Sequence, residues 1–217
     1  MKLVDGDTIL FTGDSITDCG RAWPLGERAG LGDGYVAFVD SLLSAYRPDV
    51  HIRVLNTGIS GNCVTDLESR WQTDVLALGP DWLSVLIGIN DVCRQFYYAL
   101  DPNPVTIERY ESAYRRLLEP TRPDLQGLVL MAPYLIEPNP DDPTRIRMDA
   151  YGRVVERLAS DFDAVFVDLQ AAFDRYLSHR PPQSLCDDRV HPNRTGHMII
   201  ASAFLAAIMG AGWNPVG

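Results

Sequence analysis

The sequence has few cysteines, and their spacing lacks the pattern of a metal or redox motif. Among 217 residues there are four cysteines, and no two of them form a CxxC pair. This makes a zinc site or a disulfide framework unexpected. No metal and no cofactor are therefore expected. The four cysteines are Cys19, Cys63, Cys93 and Cys186.

Long hydrophobic runs are also missing. Residues 1–7 contain acidic side chains where a signal peptide would need an apolar stretch. The longest apolar run, residues 198–209, is too short to cross a bilayer and is typical of a core helix. Together these absences predict a cytoplasmic protein that has no membrane partner.

Positive charge is scarce as well. The formal net charge is -10 at pH 7, and the sequence pI is about 4.7. An acidic surface repels phosphate backbones and anionic lipid surfaces, so nucleic acid and membranes are not expected partners. A neutral substrate, such as a small-molecule or oligosaccharide ester, fits this charge better.

Short apolar runs alternate with helical patterns along the whole chain, and no internal repeat or change in composition interrupts them. This alternation predicts one α/β domain over residues 1–217, with a doubly wound parallel sheet and helices on both faces. Predicted strands cover residues 8–12, 51–55, 82–87, 127–131 and 164–167. Predicted helices cover residues 33–46, 65–78, 105–118, 143–161, 169–177 and 195–209.

Polar or small residues follow each of the first three predicted strands. They occupy residues 13–17, 56–62 and 88–91, and a fourth polar segment, residues 188–193, precedes the last helix. Ligands of doubly wound sheets bind beyond the carboxyl ends of the strands. These segments are therefore expected to meet at one edge of the sheet.

The four segments contain the groups that acyl transfer requires. Ser15 is the candidate nucleophile, and His191 is suited to take its proton near neutral pH. Asp188 lies three residues before this histidine, so a turn could bring its carboxylate onto the other ring nitrogen. The backbone N–H groups of Ser15 and Gly61 and the side-chain amide of Asn90 could form an oxyanion hole for the developing negative charge.

These segments resemble the four sequence blocks of the SGNH, or GDSL, serine hydrolases. The family is named after one serine, one glycine, one asparagine and one histidine, and its DxxH block implies Asp188 as the third member of a catalytic triad. One departure is Ile16, where the family consensus often has leucine. The four name-giving residues are here Ser15, Gly61, Asn90 and His191.

The resemblance implies a fold and a substrate. The family fold is a flavodoxin-like, three-layer α/β/α sandwich with a five-stranded parallel sheet in the order 2-1-3-4-5. Residues 13–21, 88–92 and 190–192 look like intracellular bacterial acetylxylan and acetyl-xylooligosaccharide esterases. This implies hydrolysis of acetyl esters on xylo-oligosaccharides through an acyl-serine intermediate, and it leaves a homo-oligomer open.

Several residues have competing interpretations. Asp14 and Asp91 could be read as metal ligands, but supporting roles in the turns around the nucleophile and the candidate amide donor are favoured. The reason is that no His/Asp spacing resembles a metal site. Arg94 lies either at the mouth of the pocket or in solvent. His197 is expected to be packed in the last helix rather than to act as the base.

Two other functions remain as alternatives. One is a lipase or thioesterase on the same scaffold, although the sequence has no obvious long apolar lid. The other is a non-catalytic flavodoxin-like binding or signalling module, because receiver domains also place an acidic residue at the end of a strand. In that case the pair of Asp188 and His191 would have no role.

Overall fold

Six strands form a single sheet in the computed structural model, which describes residues 3–97, 104–210 and 213. The strand order is β2-β3-β1-β4-β5-β6, and all pairings are parallel except that of β2 with β3. The strands are β1 (Thr8–Gly13), β2 (Gly26–Glu27), β3 (Arg53–Asn56), β4 (Trp82–Leu86), β5 (Gly127–Met131) and β6 (Val165–Val167).

The predicted order of the five parallel strands is confirmed. Without β2, the order β3-β1-β4-β5-β6 is the expected 2-1-3-4-5 arrangement. The predicted number of strands is wrong by one, because β2 pairs antiparallel with the outer edge of β3. A strand of two residues has no periodicity that a sequence pattern could reveal.

Eight α-helices lie among the described residues, and their contacts divide most of them into two groups. α2 packs on α8, and α8 on α7, whereas α3, α5 and α6 pack on one another in turn. The α/β/α layering is thereby confirmed. The helices are α1 (Ser15–Asp18), α2 (Tyr35–Tyr46), α3 (Val64–Asp74), α4 (Ile89–Tyr97), α5 (Ile107–Thr121), α6 (Pro143–Asp161), α7 (Leu169–Leu177) and α8 (Arg194–Met209).

The sheet is buried between these helices. Every residue of β4 and β5 is buried, as expected for strands that are covered on both faces. Burying one Leu, Ile, Val or Phe side chain stabilises the fold by roughly 1.5–3 kcal/mol. The central strands are therefore stable and fix the positions of the segments that follow their carboxyl ends. Among the described residues, no helix is long and apolar enough to cross a membrane.

Helix α3 begins earlier than predicted. The predicted helix of residues 65–78 starts at Val64, because Cys63 is the N-cap and its backbone N–H donates to the Asp66 carboxylate at 2.7 Å. The short helix α1 and the helix α4 were not predicted at all. Both begin within three residues of a strand end, where the glycine and polar residues of the sequence are typical of a turn.

Helix α5 also differs from its prediction, since it ends at Thr121 rather than before Pro120. A proline in the last turn removes only one backbone donor. The Thr121 hydroxyl donates to the Leu117 carbonyl oxygen at 2.7 Å and supports this last turn. By contrast, the predicted bounds of α6 and α7 are confirmed.

Gly13 lies at the closest approach between β1 and β4. A Cβ atom at this position would lie 2.1 Å from the carbonyl oxygen of Leu86 and 2.6 Å from Oγ1 of Thr17. Only glycine allows the end of β1 to stay paired with β4 while the chain turns directly into α1.

Replacing Gly13 by alanine is expected to lower the free energy of unfolding by about 2–4 kcal/mol, because the two strands would have to separate. Urea denaturation measures this loss. Gly152→Ala is the matched control: its Cβ would lie 3.8 Å from the nearest side chain, and alanine favours its helix, α6. Equal losses in both variants would contradict this account of the strand contact.

Candidate active site

Ser15 is the first residue of α1 and lies directly beyond the carboxyl end of β1. The preceding residue, Asp14, caps this helix, since its Oδ1 accepts a hydrogen bond from the Ile16 backbone N–H at 3.0 Å. The Asp14 side chain is completely buried, and this burial raises its pKa to about 7. The supporting role expected of Asp14 thus corresponds to a helix cap that holds the serine at the strand end.

Ser15, His191 and Asp188 form a continuous chain of hydrogen bonds. The Ser15 hydroxyl oxygen lies 2.9 Å from Nε2 of His191, and Nδ1 of His191 lies 2.5 Å from Oδ2 of Asp188. A carboxylate at Nδ1 keeps the ring proton on that nitrogen, so Nε2 can accept the proton of the serine. The structure therefore brings together the three residues that the sequence proposed as a triad.

Asp188 is fixed by its own backbone as well as by the imidazole. Its Oδ1 accepts hydrogen bonds from the backbone N–H groups of Val190, at 3.0 Å, and His191, at 2.8 Å. Burial alone would raise the pKa of Asp188, but the hydrogen bonds from the His191 ring and from these two N–H groups outweigh it and lower the pKa. The carboxylate thus stays charged opposite the imidazole.

Gly61 lies in a tight turn that follows β3. The backbone N–H of Asn62 donates to the Ile59 carbonyl oxygen at 3.2 Å, and Gly61, the third residue of this turn, has a φ of 82°. A type II turn requires a positive φ at its third residue, and this explains the glycine. Close backbone approach does not explain it, because no atom lies within 4 Å of a Cβ built there.

The backbone donors of this segment can be counted one by one. From Thr57 to Val64, every backbone N–H has an acceptor among the described residues except that of Gly61. The N–H of Ser15 likewise has no acceptor in the described part of the chain. Ser15 and Gly61 are half-buried and line the same cleft, so their two unpaired donors beside the serine hydroxyl are available to a ligand oxygen.

Asn90 lies in the first turn of α4, beyond the end of β4. One N–H of its side-chain amide donates to the Asn62 carbonyl oxygen at 3.0 Å, and this leaves the second N–H for another acceptor. The next residue, Asp91, is buried, and its carboxylate accepts a hydrogen bond from the Val64 backbone N–H at 3.1 Å. Asp91 thus ties the start of α4 to the start of α3.

Two further polar side chains, to which the sequence assigned no role in holding the backbone, bind the turn of residues 59–62. Asp18 accepts hydrogen bonds from the backbone N–H and the hydroxyl of Ser60, at 3.0 and 2.6 Å. Arg94 donates to the Gly61 carbonyl oxygen at 2.6 Å, so it contacts a residue that lines the cleft, although its own side chain is not among the lining residues. Their partners are mostly backbone atoms, which leave no sequence signal.

The Ser15 hydroxyl opens into a cleft of about 520 Å³. His197 lies in its wall as a packed residue: its Nδ1 accepts a hydrogen bond from the Tyr35 backbone N–H, and burial lowers its pKa to about 4. It is therefore neutral near pH 7 and does not compete with His191. The cleft is lined by Ser15, Ile16, Cys19, Ser60, Gly61, Asn90, His191, Pro192 and His197.

A larger apolar groove, of about 920 Å³, lies elsewhere, between α2, α7 and α8. Its lining residues include no histidine and no carboxylate, so it lacks the groups for acid–base chemistry. Among the described residues, no group of three or more potential His, Cys, Asp or Glu ligands converges on a metal position. The cleft at Ser15 is therefore the candidate active site, although it is the smaller of the two.

Comparisons with known proteins found similarity over nearly the whole chain. The sequence model of the GDSL-like lipase/acylhydrolase family matches residues 11–199. An acetylxylan esterase of Geobacillus stearothermophilus is 51% identical over 211 residues, which are 96% of each chain. Three structures of catalytic mutants of this esterase, Axe2, have a serine, an aspartate or a histidine replaced by alanine.

Solved structures extend the likeness to the whole fold. The crystal structure of Axe2 has a TM-score of 0.96 and 50% sequence identity, and it covers 100% of this chain and 99% of its own. LAE5, an alpha/beta hydrolase enzyme from the metagenome of Lake Arreo, Spain, has a TM-score of 0.93 at 45% identity, with 95% and 97% coverage.

Asp91 gives the site a measurable pH signature. Burial raises the pKa of this carboxyl from 3.8 to about 7, and the nearby Asp14 adds to the shift. The native carboxyl therefore keeps its proton across an interval in which the unfolded one has lost it. Because the native state then binds more protons, the free energy of unfolding should fall as the pH rises from about 4 to 7.

Urea denaturation at pH 5 and pH 8 tests this expectation. Asp91→Asn cannot titrate at this position, so its loss of stability between the two pH values should be smaller than that of the native protein by about 1–3 kcal/mol. The comparison uses the change in the free energy of unfolding between pH 5 and pH 8 within each protein, so an effect of the substitution that is equal at both pH values cancels. An identical change in both proteins would contradict the raised pKa of Asp91.

Proposed function

The chain belongs to the GDSL-like lipase/acylhydrolase family and is a carboxylic ester hydrolase, and from this premise we propose that it removes acetyl groups from xylo-oligosaccharides through an acyl-serine intermediate. Ser15 is the proposed nucleophile, with His191 as its base and Asp188 as the residue that orients the base. Ser15, Gly61 and Asn90 supply the proposed oxyanion hole. Asp14 and Asp91 support it through hydrogen bonds to the backbone of Ile16 and Val64.

The observation that carries this proposal is the set of free donors beside the serine hydroxyl. The Ser15 and Gly61 backbone N–H groups have no acceptor within the described residues, and the amide of Asn90 keeps one N–H. All three residues line the cleft into which the Ser15 hydroxyl opens. Donors that are fixed before the reaction stabilise a developing oxyanion without further reorganisation.

The proposed reaction has two stages. His191 Nε2 takes the proton of Ser15 as the hydroxyl oxygen attacks the ester carbonyl, and Asp188 stabilises the resulting imidazolium. The tetrahedral intermediate collapses, His191 returns the proton to the leaving sugar oxygen, and the acetyl group stays on Ser15. Water then attacks this acetyl-enzyme with His191 again as base, and acetate and the free serine are released.

The substrate class rests on three supports. The relative with 51% identity over 96% of both chains is an acetylxylan esterase. The catalytic mutants of that esterase replace the same three residue types that meet here, and its aspartate also lies three residues before its histidine. A net charge of -10 suits a neutral carbohydrate ester better than a polyanion.

Two further expectations from the sequence stay predictions, namely a single domain over residues 1–217 and a cytoplasmic location. The resemblance also leaves a homo-oligomer open. The location is supported by the four cysteines, which are all unpaired in the structure, because disulfides are rare in reducing compartments.

A panel of esters tests the proposal. We expect acetylated xylo-oligosaccharides and p-nitrophenyl acetate to be hydrolysed, with kcat/KM falling as the acyl chain lengthens from acetate to palmitate. Ser15→Ala should reduce the activity by about a thousandfold or more, because the removal of a triad nucleophile costs at least that much. It should fold normally, since the Ser15 hydroxyl forms a hydrogen bond only with His191 among the described residues.

Two outcomes would overturn the proposal. A preference for long acyl chains would favour the lipase or thioesterase alternative. Full activity in Ser15→Ala would contradict the assignment of the nucleophile.

A further inference from the structure

Arg70 lies on α3, and its side chain is only 12% exposed. Its guanidinium donates to three acceptors outside its own helix: Nη2 to the Gly13 carbonyl oxygen at 3.0 Å, Nη1 to the Thr57 carbonyl oxygen at 2.7 Å, and Nε to Oδ1 of Asn62 at 2.8 Å. Asp74, four residues along the helix, accepts from Nη1 at 2.8 Å and balances the charge.

The three acceptors lie on the two segments that carry the backbone donors of Ser15 and Gly61. Gly13 comes two residues before Ser15, and its carbonyl oxygen also accepts the Ile59 N–H at 3.1 Å. Asn62 directly follows Gly61, and its carbonyl oxygen accepts the Asn90 amide at 3.0 Å. One guanidinium is therefore bonded to the chain near Ser15 and next to Gly61, and it is linked to the third proposed donor, Asn90, through Asn62.

We propose that Arg70 is a positioning residue that sets the geometry of the oxyanion hole. It fixes the end of β1 relative to the turn of residues 59–62, so the N–H groups of Ser15 and Gly61 converge on one oxygen. It also fixes Asn62, which in turn orients the amide of Asn90. This inference rests on the proposed function, since it concerns the same acyl-transfer site.

The chemistry of arginine suits this task. A guanidinium presents its N–H donors in one rigid plane, whereas the ammonium of lysine is a compact point charge. Four of the five N–H groups of Arg70 have acceptors within the protein, if each acceptor takes one. Arg70 is also absent from the lining of the cleft, so it acts through other residues and does not contact the substrate.

The expected effect of removing Arg70 is a loss in kcat. A displacement of about 1 Å in an active site can cost about a hundredfold in rate, and the loss of one oxyanion donor costs about a hundredfold to a thousandfold. Arg70→Met keeps the aliphatic volume but none of the hydrogen bonds. We expect it to lower kcat on p-nitrophenyl acetate about 10- to 100-fold, with little change in KM.

Arg122 offers a matched control at the opposite end of the sheet. It is 24% exposed and also donates to three carbonyl oxygens, which precede β5 and β6. Both Arg70→Met and Arg122→Met should therefore lower the Tm, but only the former should lower kcat per active site. The Arg122 acceptors are Phe162 at 2.7 Å, Leu125 at 3.1 Å and Asp163 at 3.3 Å.

The experiment measures kcat, KM and Tm for the native protein, Arg70→Met, Arg70→Lys and Arg122→Met, with active sites counted by fluorophosphonate titration. Arg70→Lys keeps the charge but cannot reach all three acceptors, so kcat should stay about tenfold below native. If Arg70→Met does not fold, Arg70→Lys carries the test. Native kcat in Arg70→Lys, or an equal loss in Arg122→Met, would overturn the positioning role.

The failure of this inference differs from a failure of the proposed function. An inactive native protein, or one that fluorophosphonate does not label, would refute the proposed function. A native protein that is active and labelled, together with an Arg70→Met variant of unchanged kcat per labelled site, would refute the role of Arg70 alone.

Discussion

The parallel pairing of β1 with β3 on one side and β4 on the other is the constraint on which the site depends. Phe11 pairs with Asn56, and Gly13 pairs with Leu86, so the three strands end at nearly the same level. The segments after these strands carry Ser15, Gly61 and Asn90. No side chain has to reach far, because the backbone hydrogen bonds of the sheet already bring the three segments to one edge.

Beyond this edge, fixed hydrogen bonds hold each donor before any substrate arrives. The turn at Gly61 is tied by Asp18 through Ser60, by Arg94 through the Gly61 carbonyl and by Arg70 through Asn62. The central peptide of a β-turn takes no part in the hydrogen bond that closes the turn, so the Gly61 N–H stays free. Preorganisation of this kind is a major source of rate enhancement in acyl transfer.

Buried charge accompanies this arrangement. Asp14 and Asp91 are fully desolvated, which raises the pKa of each to about 7, while the charge of Arg70 is balanced by Asp74. Asp14 caps the helix that begins with Ser15, and Asp91 binds the backbone at the start of α3, which follows the turn at Gly61. The buried acids thus weaken the fold at neutral pH but keep the nucleophile and the oxyanion turn in place.

The sequence predicted the parts of this protein that follow from local patterns and from chemistry. Apolar runs predicted the five parallel strands, and residue types in the four polar segments predicted the grouping of Ser15, Asp188 and His191. Other parts left no pattern. The strand β2 has only two residues, and Arg70 binds partners that lie 8, 13 and 57 residues away, two of them backbone carbonyls. Such contacts appear only after the chain has folded.

The central claim is that Ser15 carries the acyl group during turnover. Rapid acid quenching of the protein during hydrolysis of p-nitrophenyl acetate, followed by peptide mass spectrometry, measures this directly. The account predicts an acetyl group on Ser15 that disappears once the substrate is exhausted. An acetyl group on another residue of the cleft, such as Cys19, or turnover without any acetylated residue, would contradict it.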